Sequence, residues 1–215
     1  MIPAVLASAW AAARQPAVIL PSALAVVGSH FAYRAIGVEG GFWNLPQSSM
    51  PLAVVVIVAR FWVTTSVLTT ALAALREPLR RRGLLWALPT TAFQAGVVSI
   101  GLAVPMLACL IFLIVPGVWL ALRWSQATML ILDGQADWFD AADASADLVR
   151  GRYLEILVLL TVVAGAEALA EWVMTQPSAH IGIKLALRAA ASTLFSATVA
   201  ALYFELTRGV PPTRT

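Results

Sequence analysis

Between Arg82 and Arg123 the chain carries no Asp, Glu, Lys or Arg, so the forty residues from Gly83 to Leu122 are uncharged. An α-helix rises about 1.5 Å per residue and the hydrocarbon layer of a bilayer is about 30 Å thick, so such a stretch amounts to about two crossings. It has to turn back on itself, and Pro105, with Ser99 and Gly101 just before it, marks the turn. A soluble domain of this length has no core able to absorb so much apolar chain. The expected fold class is all-α, a polytopic transmembrane helical bundle forming a single integral membrane domain over 1–215.

Composition points the same way, with 60% hydrophobic and 12% charged residues. The one cysteine, Cys109, lies in an apolar run and excludes an intrachain disulfide. No basic residue precedes Arg14 and many apolar runs follow the first, so the N-terminus is expected to be retained rather than cleaved as a secretory signal. Apolar segments long enough to cross fall at about 17–35, 51–75, 84–100, 104–122, 153–174 and 183–206, which predicts six spans.

The densest basic loop holds Arg76, Arg80, Arg81 and Arg82, which the positive-inside rule assigns to the cytoplasm. Both termini are then cytoplasmic in a multi-pass inner-membrane protein. Arg14, Arg123, Arg150, Arg152, Arg208 and Arg214 fall on that side, and Arg34, Lys184 and Arg188 on the other. Trp86, Trp119, Trp124 and Trp138 reach the inner interface and Trp43 and Trp172 the outer one, where tryptophan is enriched.

Two further segments read as interfacial amphipathic helices. In 1–15 the positions Ile2, Val5, Leu6, Ala9, Trp10 and Ala13 recur at helical spacing until Pro16 interrupts them. In 137–150, Asp137 is placed to cap a helix with Phe139, Ala142, Ala146 and Val149 on one side and Asp140, Asp143 and Asp147 on the other. Each segment ends on a basic residue and feeds a span running outward, which suggests a helix-plus-hairpin unit used twice.

The passage from Val115-Pro116-Gly117-Val118-Trp119 to Ser145, Leu148, Arg150 and Gly151 resembles the bacterial membrane-domain family named after the glycerophosphoryl diester phosphodiesterases. That family places a Pro-Gly span end before an Ala-Leu, Ser, Leu, basic-Gly helix. Here Ala141-Ala142 stands where Ala-Leu is usual, and Asp140, Asp143 and Asp147 make the helix more acidic than the family's habit. The resemblance implies a six-span α-helical inner-membrane protein whose stand-alone members mostly lack an assigned activity. Where relatives act on phosphodiesters, a separate soluble domain does so. Only nine residues remain after Leu206, so no such domain is expected here. Physically, Pro116 removes a backbone donor and Gly117 a side chain, so the pair is read as kinking or ending the fourth span. Ser145 is read as bonding back to a carbonyl or touching a neighbouring span, and Gly151 as terminating its helix.

The ionisable residues inside spans are Arg60, Glu167, Glu171 and Arg188. A charge at a helix centre costs about 3 kcal/mol on insertion scales, so such residues face the bundle interior and pair. Glu167 and Glu171 share a helix face, and a polar cluster is expected in the outer half with Arg60 and Glu167 as its deepest pair. The plainest role is an ion pair that orients helices. An anion or headgroup site on Arg60 and Arg188, or proton coupling at Glu167, are the functional alternatives.

Ser192, Ser196 and Ala200 repeat small residues every four positions on the last span and mark a close-packing face. Arg76, Arg80, Arg81 and Arg82 are candidate contacts for anionic lipid. A net charge of +3 is explained by orientation, which leaves no argument for nucleic acid. His30 and His180 lack ligand spacing, so neither a metal nor any other cofactor is expected. No nucleophile, base and orienting group occur together, and no phosphate-cradling loop is present, which argues against an enzyme.

The leading expectation is a non-enzymatic protein supporting envelope or lipid homeostasis, with membrane lipids as partners and another membrane protein or a second copy as alternatives. A small transporter or permease subunit using the polar cluster and an immunity-type protective protein are the competing readings. Arg60→Ala is expected to lower the yield of folded protein, and removing Glu167 at the same time to restore it; a double variant as poor as the single one breaks the pairing.

Overall fold

The structure, a computed structural model, describes residues 1–35, 64, 67–68, 70–72, 74–75, 97, 101–102, 105, 108–109, 114–137, 139–176 and 180–208. Every regular element among the described residues is helical: α1 (Ile2–Ala13), α2 (Pro16–Ala35), α3 (Ile114–Arg123), α4 (Ala127–Leu132), α5 (Ala141–Leu148), α6 (Tyr153–Thr175) and α7 (Ile181–Thr207). Of these, α6 and α7, with 23 and 27 residues, are long and apolar enough to cross a membrane. Three such elements result if α1 and α2 count as one bent span.

The expected spans 17–35, 153–174 and 183–206 correspond to α2, α6 and α7. The expected spans 51–75 and 84–100 lie mostly outside the described residues, as does the first part of 104–122, of which α3 is the last part. Among the described residues two or three elements are thus long and apolar enough to cross, fewer than the six spans expected.

The first helix starts with Pro3 in its opening turn, where a missing N–H costs nothing. It stops before Pro16, which cannot supply the next helical donor, and the chain resumes as α2 at 77° to α1. The buried side of α1 is Val5, Ala9 and Ala12, whereas Leu6 and Trp10 are 47% and 56% exposed. The expected stripe thus splits: its small members face the protein and its large ones face outward. α1 packs across α7 and against α2.

The interfacial helix near residue 140 is shorter than expected. It begins at Ala141, not after Asp137, whose carbonyl accepts the Asp140 N–H at 3.2 Å and the Ala141 N–H at 2.9 Å. Its buried side is Ala141, Ser145 and Ala146, continued by Val149, while Phe139 is 78% exposed. The helix is rotated from the expected face because Ser145 has partners inside the protein. α1 and α5 also pack on different neighbours, α1 on α7 and α5 on α4 and α3.

Both large apolar clusters meet on the C-terminal half of α7. One joins Val5 and Ala9 of α1, Leu122 of α3, and Ile156 and Leu159 of α6 to Ala201, Leu202 and Leu206. The other joins Val18 of α2, Val67, Leu68, Ala71 and Leu72, and Met129 and Leu130 of α4 to Ala200 and Tyr203. Small residues make this possible: Ser196, Ala197, Ala200 and Ala201 are buried, which lets neighbouring backbones approach. Of the expected close-packing face, Ser196 and Ala200 are buried inside the protein and Ser192 is half-buried. Ala201→Leu is expected to overpack this seam and cost about 1–3 kcal/mol, read as a lowered midpoint of thermal unfolding in detergent; an unchanged midpoint means the seam has slack.

Candidate functional site

Polar groups collect at two places, one at each end of the α6–α7 pair. At the first, the C-terminal part of α6 meets the start of α7. The guanidinium of Arg188, only 16% exposed, pairs with the carboxylate of Glu171. Glu167 lies one turn deeper on α6, half-buried. Glu171 and Arg188 are thus brought together as their places on consecutive spans imply. Arg60, the expected deepest partner, lies outside the described residues.

The same corner holds a residue that the sequence reading placed on this side without a role. Lys184 is 8% exposed, and its Nζ donates to the carbonyl of Met174 in the last turn of α6 at 3.1 Å. A cation there satisfies an orphan carbonyl and complements the negative end of the helix. His180 caps the start of α7, its Nδ1 accepting the Gly182 N–H at 3.2 Å. The available signal was positional: a lone lysine just inside a span that follows the preceding helix by a short loop.

At the opposite end, where α6 begins and α7 finishes, the family-like motif residues gather. Pro116 and Gly117 do not end a helix: α3 continues through both to Arg123. The break comes after Arg123, where Trp124 to Gln126 turn the chain into α4. Ser145, fully buried on α5, bridges that break. Its Oγ donates to the Arg123 carbonyl at 2.9 Å and accepts the Gln126 N–H at 3.1 Å. Each of those backbone groups would otherwise be an orphan of a helix end. With both hydrogen-bonding roles engaged and no exposure, the hydroxyl is a latch and not a nucleophile.

Gly151, at φ 79°, supplies the left-handed turn between α5 and α6, as its place after Arg150 predicts. Leu148 packs at the edge of both large clusters, and Arg150 stays exposed in an ion pair with Asp147 at 3.0 Å. Gly134, at φ 69°, closes α4 in the same way: Gly134 N–H reaches Ile131 and Gln135 N–H reaches Leu130. That turn sets Asp133 against α7, where the buried Tyr203 hydroxyl donates to Asp133 Oδ2 at 2.6 Å. Two residues further along α7, Glu205 accepts from Ser8 of α1 at 2.9 Å and lies 3.6 Å from Arg208. These links across distant parts of the chain have no local pattern from which to be read.

Two tryptophan–arginine pairs edge this end. Arg14 stacks over Trp10 with its guanidinium carbon 4.6 Å from the ring centre, and Arg123 over Trp119 at 5.1 Å. Arg76, Arg80, Arg81 and Arg82, the expected lipid contacts, lie outside the described residues. Gln126 Oε1 and Thr198 Oγ1 are buried without a hydrogen-bond partner, and nothing in the structure accounts for them.

No family model, curated protein or solved structure matches this chain. Ser145→Ala is expected to cost about 1–3 kcal/mol, since it leaves a buried donor and acceptor unmatched. It should also speed amide hydrogen exchange at Gln126 in particular. Unchanged protection of that amide rejects the latch.

Proposed function

We propose that this chain is a non-enzymatic integral inner-membrane protein that supports envelope or lipid homeostasis by holding membrane lipid or a membrane partner against its helices. The observation that carries this reading is the outward face of α6, where Leu154, Val158, Val162, Leu169 and Trp172 are all exposed. In a helix of this length such a face belongs against acyl chains. The face continues onto α7 through Ile181, Ile183 and Leu187.

The engagement of the polar groups supports a binding role over a catalytic one. Ser145, Lys184 and Glu205 are occupied with backbone or helix-to-helix bonds that build the bundle. Likeness of the Pro116-to-Gly151 passage to the phosphodiesterase-associated membrane domains fits a protein that works at the lipid surface, with both termini in the cytoplasm. Deleting the protein is expected to change the phospholipid composition or detergent sensitivity of the cell envelope, with restoration by the full chain. An unaltered lipid profile and envelope, together with altered uptake of a small solute, turns the assignment to transport.

A further inference from the structure

We infer that the Trp10–Arg14 and Trp119–Arg123 pairs are two contacts for the phosphodiester headgroups of anionic phospholipids, an inference that rests on the membrane-lipid reading above. Each pair is built the same way, an arginine one helical turn after a tryptophan near a helix C-terminus. The indole covers one face of the guanidinium and leaves its N–H edge open to acceptors.

Neither arginine makes a short ion pair among the described residues. Arg14 is exposed and has no ion pair among the described residues. Arg123 stands 3.9 Å from Asp143, whose side chain is 89% exposed. An exposed contact of that length competes weakly with a phosphate. The helices that carry the pairs are also tied together, since Val5 and Ala9 of α1 and Leu122 of α3 share one core cluster.

The surroundings select a lipid over a free ion. Trp10 and Trp119 are 56% and 46% exposed, and beside them on the same helices Leu6 is 47% and Val115 79% exposed. Inorganic phosphate has no use for that apolar surface, whereas a phospholipid places its phosphate on the guanidinium and its glycerol and upper acyl carbons on the indole and aliphatic groups. α1 and α2 meet at 77°, so where α2 runs into the hydrocarbon α1 is set along the headgroup layer.

The test is native mass spectrometry of the full-length protein from mixed micelles containing equal phosphatidylglycerol and phosphatidylcholine. Wild type, the Arg14→Gln/Arg123→Gln double variant and the Arg14→Lys/Arg123→Lys double variant are compared, with helicity checked by circular dichroism. Wild type is expected to retain phosphatidylglycerol preferentially, and the preference should fall about fivefold for each guanidinium removed. The lysine variant, which keeps both charges, should retain more of it than the glutamine variant, and excess inorganic phosphate should leave it intact. Equal preference in wild type and the glutamine variant overturns these two contacts while leaving lipid binding in place. Loss of retention in excess phosphate shows an ion site and overturns the lipid assignment. A wild type that retains no lipid of either class overturns the underlying membrane-lipid reading as well.

Discussion

The constraint on which the described fold depends is close packing along the C-terminal half of α7. Between apolar helices in a bilayer there is no hydrophobic gain from contact, because lipid is as apolar as a side chain, and association rests on how closely backbones fit. Ala197, Ala200 and Ala201 are fully buried there. On one side of them the chain places α1 and α6, and on the other α2 and α4. Of the most apolar window of α7, 44% is buried, against 22% for α6, which makes α7 the post and α6 the element turned outward.

A second demand follows from the same medium. A helix end within or near hydrocarbon has no water to satisfy its free backbone groups, so side chains must do it. Ser145 serves both edges of the break between α3 and α4, Lys184 serves the end of α6, His180 the start of α7, and Gly134 and Gly151 fold two ends back on themselves. Several of the described polar side chains are thus placed where helices stop. Tyr203 with Asp133 and Ser8 with Glu205 then fix α4 and α1 to the post.

Sequence reading located α2, α3, α6 and α7 within its expected spans because hydrophobic length is a property of consecutive residues. It put Glu171 and Arg188 in one outer polar cluster because a short loop between two spans brings the end of one beside the start of the next; their direct pairing is a finding of the structure. It placed Gly151 correctly, since only glycine takes the left-handed turn cheaply. It missed α4, whose single short apolar turn, Ala127–Leu132, carries no periodic signal of its own, and it began α5 too early by taking Asp137 for the cap. Of the two readings of Pro116 and Gly117, ending the helix is set aside because α3 runs through both to Arg123.

The sequence by itself determined that the chain holds segments long and apolar enough to cross a membrane, since comparing consecutive apolar residues with bilayer thickness requires no knowledge of partners. It also determined which residues are costly unless matched. What each was matched with only the tertiary structure decided. Ser145 finds Arg123 and Gln126, Tyr203 finds Asp133, and Glu205 finds Ser8 through contacts between elements far apart in the chain. The choice of which face of α1 or α5 is buried belongs to the same class. Where a helix is apolar around much of its circumference, the pattern does not rank its faces, and the shape of the neighbour does.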